Sequence, residues 1–148
     1  MDKIKFEKLK RVDSKTVKEI AVLLEKLNPD FKPPVRLSDI KKVVEFPRAT
    51  VFVARETGRK IIGMITLIGY PQLEGNMKIW IEDLVVDKSY RRLGLGRKLM
   101  QIAIKEAKKL KAKSIVFTSR ASRKGAQRFY KSMGFKTKET NYYRQELV

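Results

Sequence analysis

The chain is predicted to fold as a mixed α/β protein in which helices flank a mostly antiparallel central sheet. Three observations carry that prediction. The first quarter holds segments whose apolar residues recur at helical spacing, the middle turns into apolar runs rich in β-branched residues and punctuated by short turns, and the remainder alternates helix with strand. The 148 residues suffice for a single sizeable core, and no repeat, linker or low-complexity tract interrupts them, so residues 1–148 read as one domain.

Ile4 and Phe6, with Leu9 beyond them, alternate with charged residues and predict a first edge strand. Ser14 or Thr16 can then cap a helix that brings Val17, Ile20, Ala21, Leu24 and Leu27 to one face and ends at Asn28-Pro29. Asp30-Phe31-Lys32-Pro33-Pro34 is expected to be stiff and extended, and Ser38-Asp39 to open a short helix stopped by Pro47. Strands follow at 51–55, 61–68 and 78–86, joined by a turn at Thr57-Gly58 and a loop over 71–76, as an antiparallel meander. An amphipathic helix is predicted from about Gly96 to Leu110, a buried strand over 114–118, a short helix over 125–133 and a closing strand over 141–147.

Composition removes whole classes of chemistry. With no Cys and no His there is no disulfide, cysteine nucleophile, Ser-His-Asp triad or imidazole acid/base, and no metal site is expected. Catalysis must then use carboxylates, Tyr, Lys, hydroxyls and backbone amides. Lys plus Arg number 35 against 16 Asp plus Glu, a formal charge of +19 with a pI near 10.2, so the field attracts anions. Nucleic acid, a polyphosphate cofactor, an anionic membrane and a small acidic substrate all qualify by charge. Lys105, Lys108 and Lys109 lie on the outward face of the long helix, where a solvated surface is favoured over a nucleic-acid site. No segment has the length and apolarity of a signal peptide or membrane span, and a cytoplasmic location is expected.

The most informative stretch is Val85-Val86-Asp87-Lys88-Ser89-Tyr90-Arg91-Arg92-Leu93-Gly94-Leu95-Gly96-Arg97-Lys98. A strand feeds a Gly-containing turn that opens a helix, so unpaired amides can converge on a phosphate. Arg91, Arg92, Arg97 and Lys98 crowd the positive end of that helix, where the dipole disfavours cations, with no acid before Glu106. A G-x-G turn needing positive φ would explain the glycines but not the charge. The Gly-Lys-Ser/Thr of a Walker loop and the third small residue of a dinucleotide fingerprint are both missing. Glu82 and Asp83 interrupt an otherwise apolar strand, which is costly unless they are paired or used. Alternation puts Glu82 with Trp80, Leu84 and Val86, and Asp83 with Ile81 and Val85. Tyr130 falls on the inward face of the last helix, where pattern alone favours a core role over a catalytic one.

Arg91-Arg92-Leu93-Gly94-Leu95-Gly96 resembles the Q/R-x-x-G-x-G/A signature of the GNAT superfamily of acyl-CoA-dependent N-acetyltransferases. Ala126-Gln127-Arg128-Phe129-Tyr130-Lys131-Ser132-Met133-Gly134-Phe135 is similar to its second motif, A-x-x-x-Y-x-x-x-G-F. The stretch 81–86 is similar to the branch that includes glucosamine-6-phosphate and many small-amine acetyltransferases. The resemblance implies that acetyl-CoA is the cosubstrate, that the turn from Leu93 through Lys98 (Leu93, Gly94, Leu95, Gly96, Arg97, Lys98) binds its pyrophosphate with help from Arg91 and Arg92, and that Leu84-Val85-Val86 splays from the next strand to receive the pantetheine arm. It further implies that Tyr130 protonates the leaving thiolate and that Glu82 deprotonates the amine, directly or through water. Where many members carry Asn, three residues before the motif Ala, this chain has Arg123, which either contacts coenzyme phosphate or caps the helix.

An alkyl amine with a pKa of about 10.4 is almost wholly protonated at neutral pH, so attack needs a base or a desolvating pocket. Without Cys, direct acetyl transfer is expected, to a small amine that the positive charge inclines toward the acidic or phosphorylated. Acetylation of protein lysines or N-termini, and a basic nucleic-acid-binding module without turnover, are the alternatives; a homodimer is compatible with the resemblance, and no membrane partner is expected.

Overall fold

In the first part of the chain, β1 (Ile4–Lys8), β2 (Ala49–Glu56), β3 (Ile61–Pro71), β4 (Met77–Val86) and β5 (Ser114–Val116) lie side by side in that order. The first four pair antiparallel, and β5 joins β4 in parallel. The computed structural model describes residues 3–32 and 34–148. Contacts divide the chain into two units, Met1–Phe117 and Thr118–Val148, each described by itself. Pro33, within the segment expected to be extended, lies outside the described residues, as do the first two residues.

α1 (Ser14–Leu27) and α2 (Leu37–Val44) close one face of the sheet. Their Ile20, Leu23 and Ile40 pack with Val53, Met64 and Val85 in one cluster, and burying a side chain such as Leu23 contributes about 2 kcal/mol. α3 (Leu95–Lys109) closes the other face through Leu99, Met100, Ala103 and Ala107. Gly63 lets α3 approach: a Cβ there would stand 3.3 Å from Leu99 Cδ1 and 3.3 Å from the Val85 carbonyl oxygen.

Local chemistry moves two helix starts from their predicted places. Asp13, not Ser14 or Thr16, is the N-cap of α1, accepting from the Thr16 amide and hydroxyl at 2.8 Å each. α2 begins at Leu37 because Asp39, inside its first turn, reaches back to the Arg36 amide at 3.0 Å.

The second unit contains α4 (Lys124–Ser132) and no strand among its described residues. The strand expected over 141–147 is therefore absent. That segment is exposed throughout, and no strand among the described residues of its own unit offers Tyr142 and Tyr143 a ladder.

Candidate active site

The decisive feature of β4 is a bulge. Glu82 pairs with Thr66 and Val85 with Met64, so three steps on β4 match two on β3. Asp83 takes up the extra residue with φ +44. Alternation therefore fails across Asp83. Before it, Glu82 shares the α1–α2 face with Trp80, as expected; beyond it Val85 occupies that face, and Val86, paired with Gly63, turns to the α3 side. The predicted grouping of Glu82 with Leu84 and Val86 is corrected accordingly, since one inserted residue exchanges the two faces.

The same strand loses its other neighbour early. Pairing of β4 with β5 runs through Lys78–Ser114, Ile79–Ile115 and Trp80–Val116 and goes no further, while β4 continues to Val86. Within the first unit the main chain of residues 81–86, including Leu84, Val85 and Val86, therefore has no β5 partner on that side.

Asp87 turns the chain out of the strand. Its amide donates to the Ile62 carbonyl at 2.7 Å, its Oδ1 accepts from the Ser89 amide at 2.9 Å, and its Oδ2 receives Lys26 Nζ of α1 at 3.0 Å. Burial alone would raise its pKa, but the Ser89 amide and Lys26 outweigh it and lower the value. A 3-10 turn at Lys88–Tyr90 follows, tied to the end of β2 by the Tyr90 hydroxyl donating to Glu56 at 2.8 Å. Arg92 and Gly94 then adopt left-handed conformations, φ +68 and +74, and α3 starts at Leu95 without a side-chain cap.

Leu95 and Gly96, as the first helical residues, have no preceding helical carbonyl to receive their amides, and left-handed turns of this kind make anion-binding concavities. Arg91, Arg92, Leu93, Arg97 and Lys98 are exposed around them, and the first turn of α3 holds no acid. Nothing lies within 4 Å of the position a Cβ would take on Gly94, so the outer side of the turn is open. Main-chain donors, flanking cations and space fit a diphosphate.

Glu82 is exposed, and its Oε1 accepts from the Trp80 indole Nε1–H at 2.6 Å. Partial burial raises its pKa, the Trp80 bond opposes this, and the charge of Asp83 raises it further. Asp83 is raised by burial, opposed by a hydrogen bond from Thr66.

In the second unit, α4 ends as its motif requires. Gly134, φ +93, donates to the Lys131 carbonyl at 3.0 Å, and Phe135 donates to the Tyr130 carbonyl at 3.1 Å. This paired closure folds Phe135 back against Tyr130, ring centroids 6.4 Å apart and nearly perpendicular. The G-F of the motif thus braces the Tyr130 ring. Burial raises the Tyr130 phenol, and Arg123 partly offsets it. Arg123 is the N-cap residue, but its exposed side chain makes no cap hydrogen bond; its carbonyl receives Gln127 at 3.1 Å.

The first unit therefore brings together Glu82, residues 84–86 and Arg91 through Lys98 on one strand and the turn that leaves it. Arg123 and Tyr130 share α4 in the second unit. Sequence reasoning missed Asp87 as the pivot and Asp83 as the bulge. Asp87 did carry a signal: an acid just past a strand and two residues before Ser89 is the pattern of an Asx turn.

Residues 20–135 match the family model described as Acetyltransferase (GNAT) family. The chain belongs to this family. It is accordingly an acetyltransferase, with acetyl-CoA as its cosubstrate. Solved structures share the fold. An aminoglycoside acetyltransferase from an uncultured soil metagenomic sample, in complex with sisomicin, is 22% identical with TM-score 0.82, over 97% of this chain and 96% of that one. Glucosamine-6-phosphate N-acetyltransferase from Arabidopsis thaliana is 18% identical with TM-score 0.78, over 97% and 99%. An aminoglycoside N-acetyltransferase in complex with CoA is 13% identical with TM-score 0.82, over 100% and 97%. At these identities the likeness to the solved structures is one of fold alone. No helix among the described residues is long and apolar enough to cross a membrane.

Proposed function

We propose that residues 1–148 act as one N-acetyltransferase that moves the acetyl group of acetyl-CoA directly onto the primary amine of a small acceptor. The observation that carries this reading is the continuity of β4: a main chain without its β5 partner from residue 81 runs into an open, acid-free turn ringed by Arg91, Arg92, Arg97 and Lys98. In this reading the amides from Leu93 to Lys98 grip the diphosphate, the edge of Leu84, Val85 and Val86 aligns the pantetheine arm, and a β4 amide receives the negative charge developing on the acetyl oxygen. In this reading Arg123 serves as a further contact for the coenzyme's phosphate rather than as a helix cap, since its side chain makes no cap hydrogen bond.

Glu82 takes the proton of the incoming ammonium, directly or through a water, and its raised pKa suits it to receive one. Tyr130 keeps its proton at neutral pH and gives it to sulfur as the thiolate leaves. Two of the structural neighbours are named for amino-sugar acceptors, an aminoglycoside and glucosamine 6-phosphate. The formal charge of +19 favours an acceptor that carries acid or phosphate besides its amine.

Calorimetry with CoA and a screen of amines with acetyl-CoA, detecting released thiol, test the reading. Heat of CoA association and turnover with at least one small amine are expected. No CoA binding, or turnover only with proteins, overturns it.

A further inference from the structure

Trp80 and Glu82 stand two residues apart on β4, on the same face and just ahead of the bulge. At 2.6 Å the indole-to-carboxylate bond is shorter than the usual N–H···O distance, as expected when the acceptor is charged. Indole is a donor only. Trp80 can therefore fix Oε1 without ever competing for the proton, and Oε2 has no protein donor among the described residues. The bulge supplies an opposing influence. By absorbing the extra residue at positive φ, Asp83 stands directly beside Glu82, whose cross-strand partner is Thr66, and its charge acts on Glu82.

We propose that Trp80 and Asp83 are positioning residues for Glu82: Trp80 pins one carboxylate oxygen so that the other faces the acceptor's ammonium, and Asp83, placed by the bulge, keeps Glu82 ready to accept a proton. The inference rests on Glu82 being the base of the proposed reaction. The two residues act in opposite directions, since the Trp80 bond stabilises the ionised carboxylate and a second negative charge nearby disfavours it. The charged groups that α1 brings to this face are Glu19, set against Arg55 of β2, and Lys26, which pairs with Asp87. α1 buries Thr16, Ile20 and Leu23, α2 buries Ile40, β3 contributes Thr66, and β5 is Ser114–Val116.

The chain has one tryptophan, so its indole N–H gives one side-chain signal in an ¹⁵N-labelled sample of the full chain. Between about pH 4 and pH 8 that signal should follow a single titration whose midpoint lies above the ordinary glutamate range. Glu82→Gln should abolish the titration, and Asp83→Asn should move its midpoint down by about half a pH unit. An indole signal that stays constant, a titration that survives Glu82→Gln, or a midpoint that Asp83→Asn leaves in place or raises overturns the inference. Trp80→Phe keeps the ring and removes the donor, so kcat should fall with the KM for acetyl-CoA unchanged. The base reading is decided separately: unaltered acetyl-CoA turnover by Glu82→Gln with glucosamine 6-phosphate or sisomicin as probe amine removes it, whatever the indole signal does.

Discussion

Tyr130 can serve as an acid because burial, the larger influence on it, raises its pKa and outweighs the nearby Arg123. Its hydroxyl should matter only after the tetrahedral adduct forms, when sulfur begins to carry charge. Tyr130→Phe is thus expected to lower kcat by about 10²-fold, the scale of general acid catalysis, while calorimetry shows CoA affinity little changed. A carboxylate such as Asp83 behaves differently, because burial pushes its pKa up and makes its ionised form costly in the folded chain. Its contribution to stability is full below the unfolded-state value and is lost as pH rises through the folded-state one. Asp83→Asn should therefore raise Tm at neutral pH and make no difference in acid, and Asn tolerates the positive φ. Glu82 and the turn cations stood out by residue type and spacing, whereas Tyr130 stood out only through the motif that its helix resembles. The orientation of Asp83 was not legible, because alternation assumes an unbroken ladder and nothing in Ile-Glu-Asp-Leu announces an inserted residue.

At the scale of elements, apolar periodicity located the helices and the meander to within a few residues, since burial on a single face leaves a strong imprint. Ends were harder, because a side chain one turn away, Asp13 or Asp39, decides where the first amide is satisfied. The predicted closing strand failed for a related reason: a strand exists only with a partner, and pairing is not written in the segment itself. The turn into α3 offers a controlled test of what its glycine is for. Gly94 and Gly75 both have positive φ, +74 and +94, and open space where a Cβ would go. Alanine at either position should cost about 1 kcal/mol of stability through backbone strain alone. Gly94→Ala alone should also weaken CoA binding, because it disturbs the amides from Leu93 to Gly96, whereas Gly75 closes the hairpin between β3 and β4. Equal CoA affinity in the two variants would count against the turn as the phosphate site.

Across the whole molecule, several acids are already engaged in ion pairs: Glu106 with Lys8, Asp87 with Lys26, and Glu7 with Arg55. With 35 cationic side chains against 16 acidic ones, positive charge is in large excess, and the folded chain repels itself. Screening should relieve that repulsion, so Tm of the free protein is expected to rise between low and moderate salt. Binding of a polyanionic coenzyme relieves it locally and adds stability by mass action, about 2.7 kcal/mol at roughly one hundred times Kd. Because the attraction between CoA phosphates and Arg91, Arg92, Arg97 and Lys98 is itself screened, the two effects must cross. The increment in Tm produced by a given CoA concentration should shrink as salt rises, even while the Tm of the free protein climbs. Thermal scans over a salt series, with and without CoA, read both slopes at once. An increment that does not depend on salt would mean that the coenzyme is recognised without its phosphates, and would dissociate the excess positive charge of this chain from its chemistry.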